Sequence, residues 1–280
     1  MDPFVHSRRL ALRHVTSRQN PRVKLAIQLR FKRKRDVHGL FLIEGERELE
    51  RAAEAELPLE FVLVDKTIAE DRVHSELLTR MESGGKTEIV PADENIMDLV
   101  CYRGGHSRMV AVAPKFSLDL NRISTKENSL VLIAVALEKP GNLGTILRSA
   151  DAAGADAVIV CDQVTDVFNP NVVRSSLGTL FSVPVAQATK DSTVEWCRLQ
   201  GVNLIATTPQ ASSSYTSVDY TMPSALVLGS ESEGLDDDWF EKADEVVYLP
   251  QLGQADSLNT AMAATVMLFE ARRQRDTGIQ

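Results

Sequence analysis

The chain has 280 residues, 44% hydrophobic and 25% charged, enough for a sizeable core and for two domains. The longest apolar run, Leu130 to Leu137, is far short of the ~20 residues a membrane span requires, and the start, Met-Asp-Pro followed by basic residues, lacks the apolar segment of a secretory signal. Three cysteines, Cys101, Cys161 and Cys197, fit neither a zinc spacing nor a disulfide framework and read as small buried hydrophobes of a reduced, cytoplasmic protein.

The net charge of −8 hides an asymmetry. Residues 1–40 hold eleven Lys and Arg against Asp2 and Asp36, a balance of +9 that leaves −17 for the rest. A basic arm on an acidic body points to a polyanionic partner such as nucleic acid. Aromatics make up only 5%, which argues against wide stacking platforms.

In chain order, residues 1–17 read as a tail and Ser17 to Arg35 as one basic helix opened by Asn20-Pro21. A small α/β region follows, with strands at Leu40–Ile43, Glu60–Asp65, Glu88–Val90 and Met109–Ala113 and helices at Glu44–Ala55, Asp71–Met81 and Asp93–Val100. Pro114 to Glu127 is polar and reads as a linker. Beyond it, Ser129–Leu137 and Ala157–Cys161 are near-continuous apolar runs, the pattern of parallel strands covered on both faces. Further strands are expected at Val183–Ala186, Asn203–Ala206, Ala225–Leu228 and Val246–Leu249, and helices at Gly141–Gly154, Asn171–Leu180, Val194–Gln200 and Ser257–Arg275. Strands alternating with helices predict a doubly wound α/β domain.

Three loops follow strand ends in this second half, where open α/β sheets gather their ligands. The first is Glu138-Lys139-Pro140-Gly141-Asn142-Leu143-Gly144, with Arg148 one turn past Gly144. The second is Gly229-Ser230-Glu231-Ser232-Glu233-Gly234-Leu235. The third runs from Leu249-Pro250 to Ser257-Leu258-Asn259, with Ser257 as the expected N-cap of the last helix. None matches a dinucleotide fingerprint or a P-loop. The five histidines all precede this half, which rules out a Ser-His-Asp hydrolase there and speaks against a histidine metal site. Asp236-Asp237-Asp238 reads as an acidic first helical turn, favoured by the helix dipole, rather than as a cation site.

The succession N-x-G-x-x-x-R, G-S-E-x-x-G-L, hydrophobic-Pro and S-L-N resembles the SpoU (TrmH-type) branch of the SPOUT RNA ribose 2′-O-methyltransferases over nearly the whole chain. Phe41-Leu42-Ile43-Glu44-Gly45 resembles the start of that family's small RNA-binding domain. The resemblance implies an α/β fold with a C-terminal trefoil-knotted, mostly parallel methyltransferase domain and a smaller N-terminal α/β RNA-binding domain. It divides the chain into a basic arm (1–37), a substrate domain (38–113), a linker (114–128) and the knotted domain (129–280). It also implies S-adenosylmethionine as cofactor and a homodimer, with no metal and no membrane partner. By the same resemblance Thr207, Gly229, Leu249, Leu258 and Asn259 would hold the cofactor. Asn142, Arg148, Glu231, Ser257 and Asn259 would be the polar catalytic set, with Arg148 acting across the dimer interface. One departure is that Thr260-Ala261 follow Asn259 where the family usually has Val-Ser, so Ala261 lacks a hydroxyl.

RNA contacts are expected from Arg18, Arg22, Lys32, Arg33, Lys34 and Arg35 on the arm and from Arg103 and Arg108 on the Tyr102–Arg108 loop. The favoured substrate is 23S ribosomal RNA, with transfer RNA as the alternative in the same class. An NAD-dependent Rossmann oxidoreductase and a non-catalytic RNA-binding protein are the rival classes. Lack of a third glycine weighs against the first, and retention of Asn142, Arg148, Glu231 and Asn259 against the second.

Overall fold

The computed structural model describes residues 14–68, 72–83, 87–102, 107–254 and 257–277. It separates into two compact units, one running to Phe116 with Phe168–Phe181 added, the other comprising Ser117–Val167 and Ser182–Gln280.

The first unit opens with helices α1 (Pro21–Gln28) and α2 (Lys32–His38). The sequence predicts one helix here. The break falls at Leu29–Phe31 because the Arg35 side chain folds back and donates to the carbonyls of Leu29 and Arg30, both at 2.9 Å. Those carbonyls would otherwise need the next helical turn. A four-stranded sheet follows, built from β1 (Leu40–Glu44), β2 (Phe61–Asp65), β3 (Glu88–Ala92) and β4 (Met109–Pro114) in the order β1-β4-β2-β3, with β2 and β3 parallel and the other pairs antiparallel. Helices α3 (Glu46–Glu54), α4 (Arg72–Ser83) and α5 (Glu94–Val100) connect the strands.

The segment Phe168–Phe181 holds α6 (Pro170–Ser175) and a 3-10 turn at Thr179–Phe181, where sequence predicts a longer helix. Leu177 and Gly178 both take positive φ, which ends helical continuation. A side chain at Gly178 would meet Arg51 Cβ at 2.6 Å, so glycine is needed for the close approach. Phe168 stacks at 4.9 Å on both Phe41 and Phe116. Such ring pairs contribute about 0.5–1.5 kcal/mol each beyond burial and hold this segment against β1.

The second unit is a sheet of parallel strands: β5 (Leu130–Val135), β6 (Ala157–Cys161), β7 (Val185–Ala188), β8 (Asn203–Thr207), β9 (Ser213–Ser214), β10 (Ser224–Leu228) and β11 (Glu245–Tyr248), in the order β7-β6-β5-β10-β8-β11-β9. β5, β6 and β10 are buried along their whole length, as their unbroken apolar sequence requires. Around them lie α7 (Pro140–Ala153), α8 (Lys190–Gln200), α9 (Asp237–Lys242) and α10 (Thr260–Thr277). β5 leads outward to β6 and β7 while β10 and β8 lie on its other side, so the order of the strands reverses at the β5–β10 pair. The linker region is held to this unit: Leu118 O accepts from Gln187 N, and Ile123 is buried in the core. No described helix is long and apolar enough to cross a membrane.

Candidate active site

The carboxyl ends of β8, β10 and β11 open on a cleft of about 830 Å³. Its wall includes Thr207, Gly229, Glu231, Leu249, Ser257, Leu258 and Asn259. Seven of the nine residues expected in the cofactor and catalytic sets therefore stand on one surface, drawn from three loops far apart in sequence. Asn142 and Arg148 are not in the wall.

Asn142 nevertheless joins it by hydrogen bonds. Its Nδ2 donates to Glu231 Oε1, and its Oδ1 accepts from Asn259 Nδ2 at 3.3 Å. Asn259 Oδ1 in turn accepts from the Ala261 N–H at 3.0 Å. The three side chains thus lock one another's amide orientation. Asn259 rather than Ser257 serves the start of α10, and the helix begins at Thr260 instead of the expected Ser257. Ala261 is buried, so the missing hydroxyl leaves a methyl packed in the core, not a gap in the site.

The 229–235 loop is rigid for local reasons. Ser230 and Gly234 exchange backbone hydrogen bonds at 3.2 Å each, and Ser230 Oγ accepts from Glu233 N at 3.1 Å. A Cβ on Gly229 would sit 2.1 Å from the Gly234 carbonyl carbon, so no other residue fits without moving main chain. Ser232 Oγ donates to Glu138 Oε1 and ties this loop to the one after β5. Thr260 Oγ1 donates to Gly229 O at 3.4 Å, and Thr207 Oγ1 to Val227 O at 3.0 Å.

Charge in the wall is one-sided. Among the described residues of the wall, Glu231, Glu233 and Asp237 stand with one cation, Lys139. Its residue type does not mark Lys139 in the sequence; the signal for it is its position just before Pro140-Gly141-Asn142, at a strand end. Glu231 Oε2 is buried and has no hydrogen-bond partner among the described residues. An unsatisfied buried oxygen costs about 1–3 kcal/mol, more for a charged group, and so is an acceptor awaiting a positive or donating ligand. The group implied by the sequence, S-adenosylmethionine, suits such a wall: its sulfonium is attracted by carboxylates, and its adenosine has donors to give.

Arg148 lies six residues past Asn142 on α7. At 100° and 1.5 Å per residue, that places it roughly 120° around the helix from Asn142 and about 9 Å along the axis. It is exposed, and no described residue pairs with it. The acidic triplet Asp236–Asp238 behaves as a helix start. Asp236 Oδ1 accepts from Trp239 N at 3.1 Å, and Lys190 bridges Asp236 and Asp238 at 2.8 and 2.7 Å. The hydrogen bonds from Lys190 and Lys242 hold the Asp238 carboxyl below its usual range. Among the described residues no group of His, Cys, Asp and Glu is arranged to hold a metal ion. The three cysteines are buried, and desolvation pushes each thiol up to about 12.

The candidate RNA residues divide. Arg18, Arg33, Lys34 and Arg108 are exposed, and Lys32 is exposed but 3.8 Å from Asp36. Arg22 is engaged with Glu88. Arg35 corrects the sequence expectation: it is 1% exposed and held by main-chain carbonyls, so it is a structural residue of the α1–α2 corner. Arg103 lies outside the described residues.

Comparison with known proteins decides the family. Residues 129–269 match the SpoU rRNA Methylase family, and residues 20–111 match the MRM3-like substrate binding domain. The chain belongs to the SpoU rRNA methylase family. It is 34% identical to the 23S rRNA (uridine(2479)-2′-O)-methyltransferase of Streptomyces viridochromogenes, over 96% of this chain and 94% of that one. It is 32% identical to the 23S rRNA (guanosine(2553)-2′-O)-methyltransferase RlmP of Bacillus subtilis (strain 168), over 93% of this chain and all of that one. Among solved structures, the SpoU methyltransferase AviRb from Streptomyces viridochromogenes, in complex with AdoMet, superimposes with a TM-score of 0.84 at 32% identity, covering 92% of this chain and 99% of that one.

Proposed function

We propose that this chain is an S-adenosylmethionine-dependent RNA methyltransferase that modifies a ribose 2′-hydroxyl in 23S ribosomal RNA. The observation that carries the reading is the Glu231–Asn142–Asn259 hydrogen-bonded set beside a cleft rimmed with carboxylates. A pyrophosphate-bearing dinucleotide would meet those same carboxylates with, among the described wall residues, Lys139 alone to offset them.

The bound cofactor would supply a methyl group on a sulfonium sulfur, activated toward an oxygen nucleophile. Thr207, Gly229, Leu249 and Leu258 would hold it in the cleft, with Glu231 and its neighbours giving the favourable negative field. Asn142, Ser257 and Asn259 would orient the nucleotide so that its 2′-oxygen approaches in line, the main source of rate in such a transfer. Arg148 would face the developing charge on the 2′-oxygen and stabilise it. A guanidinium donates hydrogen bonds and accepts none, so Arg148 would orient the 2′-oxygen rather than take its proton, which would pass to an RNA phosphate or water.

Because Arg148 stands outside the cleft of its own chain, we further propose a homodimer in which each Arg148 completes the partner's site. A stripe of exposed apolar side chains on α10, Met262, Val266 and Phe269, supplies a surface for such an association. A trefoil knot around the cofactor segments, a cytoplasmic location and independence of metal belong to the same proposal. So do Arg18, Lys32, Arg33, Lys34 and Arg108 as RNA contacts.

Titration calorimetry with S-adenosylmethionine and, in parallel, NAD tests the reading, followed by transfer of labelled methyl to 23S rRNA and nucleoside analysis. Binding of S-adenosylmethionine alone and label on ribose are expected. Binding of NAD in its place, or label on a base, would overturn it.

A further inference from the structure

Phe31 is an aromatic side chain left 65% exposed in the midst of cations. Its main chain is held in place: Phe31 N donates to Gln28 O at 3.0 Å, and Phe31 O accepts from Lys34 N and Arg35 N at 3.0 and 3.1 Å. The ring therefore projects from a fixed corner between α1 and α2. Lys32, Arg33 and Lys34 beside it are exposed, and Arg33 and Lys34 have no acidic partner among the described residues. Arg30, on the other side, donates through Nη2 to Leu99 O and Cys101 O. That bond fastens the start of the loop leading to Arg108 onto the same corner, and Tyr102 N is in turn fixed by Glu44 Oε2 at 2.8 Å.

A phenyl ring is stabilised when it leaves water, and at 65% exposure the described residues leave most of that gain untaken. Burying it against a second copy of this corner would bring two sets of cations together. A polyanion with flat apolar faces removes both costs, and unpaired RNA has both features. We propose that Phe31 is a stacking point for an unpaired base, with Arg33 and Lys34 on the flanking phosphates. The inference rests on the RNA reading above and adds a residue and a preference: looped rather than fully paired RNA.

Fluorescence anisotropy of the full chain against a labelled RNA hairpin with an unpaired loop, and against a blunt RNA duplex, tests it. Stacking on one base, judged by alanine substitution, is worth ~1–3 kcal/mol, so Phe31→Ala should weaken hairpin binding roughly 5- to 150-fold. Duplex binding and the dependence on salt should not change, and Phe31→Trp should restore affinity. Arg33→Gln and Lys34→Gln should instead each flatten the slope of log affinity against log salt by about 0.7. Hairpin affinity of Phe31→Ala equal to wild type overturns the inference and leaves the RNA reading standing. A change in sedimentation mass on Phe31→Ala also overturns it, by assigning the ring to a second copy. A wild-type chain that binds neither RNA overturns both readings.

Discussion

The cleft at the sheet's carboxyl edge and the basic stretch from Arg18 to Lys34 are electrostatic opposites. Among the described residues of the cleft wall, three carboxylates outnumber one lysine. The stretch holds seven Lys and Arg and no acid. Polar groups in the first are locked to one another across loops, whereas several cations in the second stand free in solvent. A preorganised acidic pocket suits a small cation held in one pose; loose surface cations suit a polyanion held by its backbone, with affinity that falls as salt rises. A net charge of −8 thus hides two charge patterns of opposite sign, kept on different elements.

The largest effect should come from removing the one cation assigned to chemistry. Arg148→Ala is expected to lower methyl transfer at least ~100-fold while leaving the cofactor Kd essentially unchanged. Mixing this variant with Glu231→Gln should restore activity through heterodimers that carry one intact site. Absence of rescue, with subunit exchange shown independently, would place Arg148 in its own chain's site or in none.

A smaller but still large loss should follow Gly229→Ala. The new Cβ would overlap the Gly234 carbonyl, so the 229–235 turn must open. Overpacking of this kind costs about 1–3 kcal/mol, and cofactor affinity should fall with it, while RNA affinity and its salt slope stay as they were. Loss of RNA binding in the same variant would blur the contrast between the two regions.

The smallest effect concerns Glu48 in the first unit. Burial raises its carboxyl above the usual range, partly offset by a hydrogen bond from its own backbone N–H and by Arg47 and Arg174. A raised pKa means the folded chain binds this proton more tightly than the unfolded one. The neutral form therefore favours folding at low pH, and that advantage is lost as pH rises through the raised value. Glu48→Gln should raise Tm at neutral pH by about 2–4 °C, the shift that about 1 kcal/mol gives in a chain of this size. The difference from wild type should vanish on acidification, and methyl transfer should not change. A Tm gain that persists at acid pH would contradict the assignment.

The strands were legible because their signal is local. Leu130–Val135 and Ala157–Cys161 are apolar without interruption, and only a strand covered on both faces makes use of that. Long-range choices were not legible. The α1–α2 break depends on Arg35, a residue whose type reads as exposed but whose guanidinium satisfies two carbonyls at the corner. Phe168–Phe181 joins the first unit through Phe41, 127 residues before Phe168, and nothing in the local pattern reports it. In the site, residue types could be matched to a family motif, but the Asn142–Glu231 contact spans 89 residues and the role of Asn259 at the helix start emerges only from geometry. Lys139 is not legible from sequence, because one lysine before a turn looks like ordinary surface.

The most direct measurement is a map of 2′-O-methylated nucleotides in total RNA from cells with the chain, without it, and with Arg148→Ala in its place. The account predicts one ribose in 23S rRNA that loses its methyl group in the second and third cases and regains it when the intact chain is restored. An identical map in all three would contradict it.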